Sequence, residues 1–356
     1  MAIAARYINR ELLAVFLVVA LVLLVVALGG RFIGYLQEAA LGKYSGDGLL
    51  TIVWLRLPEF LQQLAPFAFY LGLLLAFGRL HAEHEIPVLQ SGGVGPYRLL
   101  GWVLPATLLV AAGVGYLALM VTPQSTVELD QFFLSEADRQ EFNGVTPGIF
   151  RTIGASKRVT YTETVSSDRQ RLGNVFIAEP NASRPITVWA EKGSQYVDDA
   201  TGSVFLLLEN GTRYEGEIGS EDYRKVSFGA LGQRLSVSDT KLVRIDPDST
   251  ATAVLWRDGG LDNLAELQWR VALPLLVLIG TGLAVGMSRV RSRQGRFTRV
   301  VPGLLVFVAY YLLLVILKDL VAEGAWPVAV GLWPVHGVFL LVAAALLRRI
   351  SLPAPA

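Results

Sequence analysis

A chain of 356 residues that is 53% hydrophobic and 17% charged, with a mean hydropathy of +0.48, is too apolar for a soluble protein of its size. A net charge of +1, with no dense Lys/Arg tract, sets nucleic-acid binding aside. The absence of cysteine excludes disulfides, thiolate metal sites and cysteine nucleophiles, and leaves the compartment to be read from topology.

A helix needs roughly 20 apolar residues to cross a bilayer core of about 30 Å. In chain order, residues 12–30, 57–78 (with Pro58 and Pro66 inside), 99–121, 269–287, 300–317 and 329–347 meet this, which predicts six spans in two groups of three. The first is too long for the apolar region of a signal peptide and ends in no small-residue cleavage site, so it is expected to stay in the mature chain.

Lys and Arg in short loops mark the cytoplasmic side. Arg6 and Arg10 precede the first span, and Arg79 and Arg98 bracket the loop between the second and third. Arg289, Arg291, Arg293, Arg296 and Arg299 crowd the loop between the fourth and fifth, and Arg348 and Arg349 close the sixth. With six spans all of these fall on one side, so both termini are expected in the cytoplasm and the long segment 122–265 outside.

That segment changes character. Period-two alternation, the signal of half-buried strands, runs through "RVTYTETV" (158–165), "NVFIAE" (174–179), "ITVWAE" (186–191), "SQYVDD" (194–199) and "SVFLLLENGTRYEG" (203–216). Pro180-Asn181, Ala200-Thr201-Gly202 and Asn210-Gly211 punctuate it. An antiparallel sandwich, jelly roll or open barrel all satisfy the pattern. Neither a nucleophile elbow nor an H-E-x-x-H motif is present, which disfavours catalysis there.

The loop "HAEHEIPVLQSGG" (81–93) carries two histidines and two glutamates in its first five residues. His81 and His84, at i and i+3, share a face on a helix, but a metal would still need further protein ligands, and the third histidine, His336, is in the sixth span. A solvated loop explains the polarity. A short amphipathic element ended by Gly92-Gly93 explains the pattern as well: Ile86, Val88 and Leu89 would anchor it on another protein, and its carboxylates would meet basic partners.

The order of these parts carries a resemblance. "RYINRE" at the start, "EHEIPVLQSGG" between the second and third spans, an external β-domain with "GTRYEG", then "ELQWRV" and "RQGR", resembles the LptF/LptG permeases of the lipopolysaccharide exporter over essentially the whole chain, and the LptF branch more than LptG. The resemblance implies an α-helical membrane protein with six transmembrane helices and an all-β, jelly-roll-like periplasmic domain between helices 3 and 4. The corresponding divisions are 1–121, with a cytoplasmic coupling helix at about 80–92; 122–265; and 266–356.

It further implies a permease subunit of an ABC transporter in the bacterial inner membrane. Such a subunit extracts lipopolysaccharide from the outer leaflet and passes it to a periplasmic bridge. Its implied partners are the sibling permease LptG, a dimer of the ATPase LptB, LptC and the bridge protein LptA. ATP and Mg²⁺ would be held by LptB, in keeping with the lack of a P-loop in this sequence. By the same resemblance the coupling carboxylate is Glu85, with Glu83 beside it. Pro87 departs from the less rigid residue usual at its place, with a shortened or kinked element as the expected result.

Near the lipid, the resemblance places a basic residue for lipopolysaccharide phosphates or sugars at Arg31, for which snorkelling to the headgroups is the alternative; the second basic residue expected one turn later is Gly34. Lys318 is a further phosphate candidate, with an ion pair to Asp319 or snorkelling as alternatives, and Lys43 and Arg56 are weaker ones. Arg270 reads as structural, with Trp269 in the aromatic belt. Helices 1 and 5 are expected to face the sibling, with Phe16, Leu24, Leu28, Phe307, Tyr310 and Leu314 against acyl chains. Three rivals remain: a lipoprotein-releasing or efflux permease, which usually has four spans; a membrane-anchored envelope assembly protein without transport; and a membrane enzyme using paired acids such as Asp198 and Asp199.

Overall fold

The structure is a computed structural model and describes residues 2–40, 46–143, 147–153, 158–166, 171–179, 184–197, 204–216, 223–234, 247–288 and 300–351. The chain divides into two compact units, one of Met1–Ala39, Ser45–Leu129 and Asp246–Ala356, the other of Asp130–Ile245 with Ala40–Tyr44. The arginines at 289–299, Lys43, Asp198, Asp199 and the expected turns at 180–181 and 200–202 lie outside the described residues.

The first unit is helical. Its elements are α1 (Ala2–Ala40), α2 (Gly46–Ala82), the short α3 (Glu85–Ser91), α4 (Pro96–Tyr116), α6 (Thr252–Asp258), α7 (Leu261–Met287), α8 (Val300–Ala322) and α9 (Trp333–Ser351). A π-helical turn, Leu117–Val121, runs α4 without a break into α5 (Thr122–Asn143). Six of the described helices are long and apolar enough to cross a membrane, as the hydropathy pattern predicts. Several reach beyond their apolar runs: α1 has 39 residues, about 58 Å at 1.5 Å per residue.

α7 is the centre of this unit, packing against α2, α4, α8 and α9. Glycines allow the close approach that lipid-embedded helices need, because apolar side chains gain little by leaving lipid for protein. A Cβ at Gly286 would stand 2.7 Å from the Leu346 side chain, and one at Gly282 would stand 3.3 Å from Ala343. Polar pins supplement the packing: Tyr70 donates to the Gly303 carbonyl at 2.8 Å, and the Thr107 and Thr281 hydroxyls meet at 3.3 Å. α1 is held differently. Ile8, Leu12 and Phe16 pack on the bundle and Asn9 donates to the Trp102 carbonyl at 2.5 Å, whereas Leu17, Leu21, Val22, Val25 and Val26 are exposed.

The second unit holds one six-stranded antiparallel sheet: β1 (Arg151–Ile153), β2 (Arg158–Val165), β3 (Arg171–Glu179), β4 (Ile186–Val197), β5 (Val204–Glu215) and β6 (Arg224–Arg234). Spatial order equals chain order, so the jelly-roll-like domain takes the form, over the described strands, of a continuous meander. The segment "ITVWAE" and the described part of the next, "SQYV", are one strand, and Asn210-Gly211 lies inside β5 rather than at a turn.

Asn174 and Asn210 both have positive φ, 50° and 52°, and the pairing skips each of them. The inward face shifts by one residue there, from Leu172 to Val175 and Ile177 in β3 and from Leu208 to Gly211 in β5, while the register on either side is unchanged, so the paired strands kink together. Only glycine fits at 211, since a Cβ there would run into the Trp189 carbonyl and sit 2.5 Å from the Phe228 ring. One face buries Leu172, Val175, Ile177, Val188, Leu206 and Leu208. The other carries Phe150, Tyr161, Phe176 and Trp189 around a recess of about 420 Å³.

Candidate functional site

α3 stands at one end of the helical unit. α2 stops at Ala82 because His84 turns left-handed (φ 63°), so His81 and His84 do not share a helix face. His81 points inward, its Nδ1 2.8 Å from the Phe77 carbonyl. The described residues contain no group of three His, Asp or Glu able to hold a metal ion. The i, i+3 helical placement on which a metal reading would rest is therefore not formed.

Glu85 opens α3, where a carboxylate complements the N-terminal helix dipole. Pro87 falls in the first turn, whose N–H groups lack helical partners in any case, so it neither kinks nor removes a bond. The first helical bond runs from Val88 N to His84 O at 3.1 Å, and Gly93 (φ 86°) ends the element. Ile86, fully buried, and Leu89 are turned into the chain's own bundle rather than towards a partner. Glu83, His84, Pro87 and Val88 (66% exposed) face outward. Ile86 and Leu89 thus act as the foot of α3, and a carboxylate-bearing face with one apolar contact is left free.

The N-terminal end of α1 lies beside this element. The Tyr7 hydroxyl donates to Glu85 Oε1 at 3.2 Å. Arg79 pairs with Glu11 at 2.8 Å and approaches Glu83 at 3.6 Å, a charge contact too long for a hydrogen bond.

A second cluster occupies the opposite end of the bundle. Arg270 is 2% exposed, and all five of its N–H donors are used. Nε donates to Glu266 at 2.9 Å, Nη1 to Thr250 O at 3.0 Å and Thr252 Oγ1 at 2.9 Å, and Nη2 to Pro247 O at 2.9 Å and Asp248 O at 3.2 Å. The other Glu266 oxygen accepts from Lys318 Nζ at 2.6 Å. Lys318 also lies 3.8 Å from Asp248 and 5.4 Å above the Trp269 ring. These groups border a polar cavity of about 260 Å³ with Arg56, Glu59, Gln62 and Thr122. Arg56 is paired with Glu59 at 2.6 Å.

The Lys318 ammonium neutralises a buried carboxylate from the neighbouring helix, so its ion-pair partner is Glu266 rather than Asp319. Arg270 is structural, as expected, but Trp269 is buried against Tyr311 rather than displayed in a belt. The motif "ELQWRV" is a hub: Glu266, Trp269 and Arg270 face the cluster, and Gln268 fixes the loop between α8 and α9 through Val328 O (2.8 Å) and Leu332 N (3.1 Å).

Six candidate spans, a meander sheet inserted in the chain and a short carboxylate-bearing helix between the second and third spans form the setting in which the sequence comparison is decisive. The chain matches the family described as "Lipopolysaccharide export system permease LptF/LptG" over residues 6–349. It belongs to that family. It is 26% identical over 346 residues to the lipopolysaccharide export system permease protein LptF of Escherichia coli strain K12, covering 96% of this chain and 93% of that protein. The LptF proteins of Escherichia coli O157:H7 and Shigella flexneri align with the same figures.

The permease is thus a membrane protein and a transport subunit rather than an enzyme. Of its expected lipid-facing residues, Phe16 is half-buried and edge-on to Phe69 at 5.5 Å, and Leu24 and Leu28 are half-buried on α1. Phe307, Tyr310 and Leu314 are turned the other way, into the core. Phe307 stacks towards Tyr70 (4.8 Å), and Tyr310 stacks on Phe339 (4.2 Å) and bonds His336 Nδ1 at 2.5 Å. The outward face of α8 is instead Val301, Leu305, Val308, Leu312 and Ile316. Arg31 is exposed on α1 and has no hydrogen bond or ion pair among the described residues.

Proposed function

We propose that this permease is one half of a heterodimeric transmembrane pair in an ATP-driven exporter that takes lipopolysaccharide from the outer leaflet of the inner membrane. LptG is the sibling, and a dimer of LptB binds ATP and Mg²⁺. α3 is the coupling element, standing in the cytoplasm with both chain termini. The observation that carries the reading is the construction of α3: a rigid seven-residue helix footed in its own bundle by Ile86, with Glu83, Val88 and the edge of Glu85 presented outward. A foot of this kind transmits a push, and a carboxylate that becomes buried against a basic partner holds more firmly than an exposed pair.

The exposed flanks of α1 and α8, with Leu24 and Leu28, form this chain's share of a cavity for acyl chains, and Arg31 meets a phosphate. Closure of the ATPase dimer narrows that cavity and moves the glycolipid outward. The sheet then takes the acyl chains along its apolar face and, by pairing strand to strand at its edges, continues through LptC to LptA.

The test is a reconstituted complex of this chain with its sibling and the ATPase. Wild type should couple ATP hydrolysis to release of lipopolysaccharide, and Glu85→Ala should lower the amount released per ATP at least tenfold with all subunits still recovered together. Full transport by Glu85→Ala would remove the coupling role. Recovery of the chain with periplasmic proteins alone would favour an assembly protein.

A further inference from the structure

Tyr7 and the Glu11–Arg79 pair have no part in packing the bundle core, yet they join the first helix to the coupling element. Tyr7 sits on α1, 78 residues from its acceptor Glu85. Arg79, in the last turn of α2, joins Glu11 of α1 on one side and Glu83, just before α3, on the other. Both glutamates of the coupling element are therefore held from the same neighbouring helix, one directly and one through Arg79.

Ile8 and Leu12, on the same stretch of α1, are buried in the core, and Asn9 bonds the Trp102 carbonyl of α4. Residues 7–16 of α1 are thus fastened where α3 stands. Past Phe16, where α1 touches Gly72 of α2 with a would-be Cβ 3.1 Å from the Phe16 Cα, long runs of its side chains are exposed. A helix fastened at one end and unpacked on its own bundle along the rest can swing against the sibling permease when the fastened end is displaced.

We infer that Tyr7, Glu11 and Arg79 are positioning residues that make the coupling element and the cytoplasmic end of α1 one mechanical body, so that a displacement of α3 swings α1 directly. The inference rests on the coupling role proposed above for Glu85. Tyr7 holds the Glu85 carboxylate in a fixed rotamer, which lowers the ordering cost when a basic group closes on it. Arg79 balances two carboxylates whose mutual repulsion would otherwise push α1 and α3 apart.

The measurement is lipopolysaccharide released per ATP hydrolysed by the full complex in lipid nanodiscs, for wild type, Tyr7→Phe with Glu11→Gln, and Glu85→Ala. The double variant removes a hydroxyl and a charge without changing shape. It should assemble normally, keep its melting temperature within about 2 °C, and release on the order of threefold less lipopolysaccharide per ATP, as expected for losing one exposed hydrogen bond and one partly exposed ion pair. Glu11→Arg alone should fall further, and adding Arg79→Glu should recover part of the loss, an exchange that a purely structural role would not reverse. If Glu85→Ala uncouples while the double variant matches wild type, the link between α1 and α3 is refuted and the coupling reading stands. If Glu85→Ala transports normally, the coupling reading itself falls.

Discussion

Replacement of Arg270 by Lys keeps the charge and removes the fork. Arg270 satisfies five acceptors at 2.9–3.2 Å from a site 2% exposed. A lysine ammonium has three donors on one atom and cannot span a carboxylate on one side and the 247–252 segment on the other. At least two buried acceptors lose their partner, each costing about 1–3 kcal/mol, which gives roughly 2–6 kcal/mol in all. A chain of this size loses about 2 °C in melting temperature per kcal/mol, so a fall of roughly 4–12 °C is expected. Tryptophan fluorescence during heating in detergent reads the transition, and Trp269 against the cluster makes the local event visible. Lys318→Met serves as the comparator: Lys318 is one-quarter exposed and makes a single short contact, so removing it leaves Glu266 still bonded to Arg270 and should shift the transition less. A melting temperature for Arg270→Lys within 2 °C of wild type would refute the five-donor account of how the segment entering α7 is held.

Three further outcomes follow from the packing. Tyr310→Phe keeps the stack on Phe339 but leaves the buried His336 nitrogen without its partner; a loss of about 1–3 kcal/mol should appear in the same melting assay with the fold otherwise unchanged. Gly211→Ala forces a side chain into the Trp189 carbonyl and the Phe228 ring, so limited proteolysis should cut within 184–216 while the helical unit stays resistant. Val88→Asp leaves the bundle's melting temperature unchanged, because Val88 is 66% exposed, but should reduce recovery of the ATPase with the purified permease; unchanged recovery would show that the outward face of α3 makes no apolar contact.

The parts of the molecule legible in the sequence are those set by a single strong pattern. Six apolar runs predict six spans, since hydrocarbon demands them. Their ends are not legible, because a helix continues into polar sequence wherever nothing stops it, as in α1 and in α5 after the π-helical turn. Strands β2 to β5 follow from alternation, but β6, "RKVSFGALGQR", is diluted by glycines and passes unnoticed. Asn-Gly at 210–211 reads as a turn from composition alone; in the sheet it is a kink inside a continuous strand, and only the unbroken register on both sides of β5 distinguishes the two. The polar, amphipathic character of the 81–93 segment is legible from its place between spans, whereas the inward anchoring of Ile86 and Leu89 is not, since an amphipathic pattern does not say which neighbour it will meet. α8 is apolar on every side, so no periodicity could assign Phe307, Tyr310 and Leu314 to the core. Glu266 and Arg270 did carry a signal, two opposite charges four residues apart at the edge of a span, which points to a partnered pair before any fold is known.

The two charged clusters differ in a way that bears on how the permease moves. At the end opposite α3 the charges are buried and saturated, with Arg270 and Lys318 sharing Glu266, and parting them would strand a charge at several kcal/mol. α7, α8 and the segment 247–252 are therefore held together there. At the α3 end the contacts of Tyr7, Glu11 and Arg79 are partly exposed, and each costs little to break and remake. Between them the glycine-packed helices around α7 have no slack. Under the coupling role proposed for α3, a push delivered there carries α2, α4, α7 and α9 as a body, and the element left to respond separately is α1, fastened at residues 7–16 and largely unpacked on the bundle beyond them. Under that same proposed role, substrate release depends on where α1 points, and substitutions in the middle of α1 should alter transport without altering the stability of the bundle.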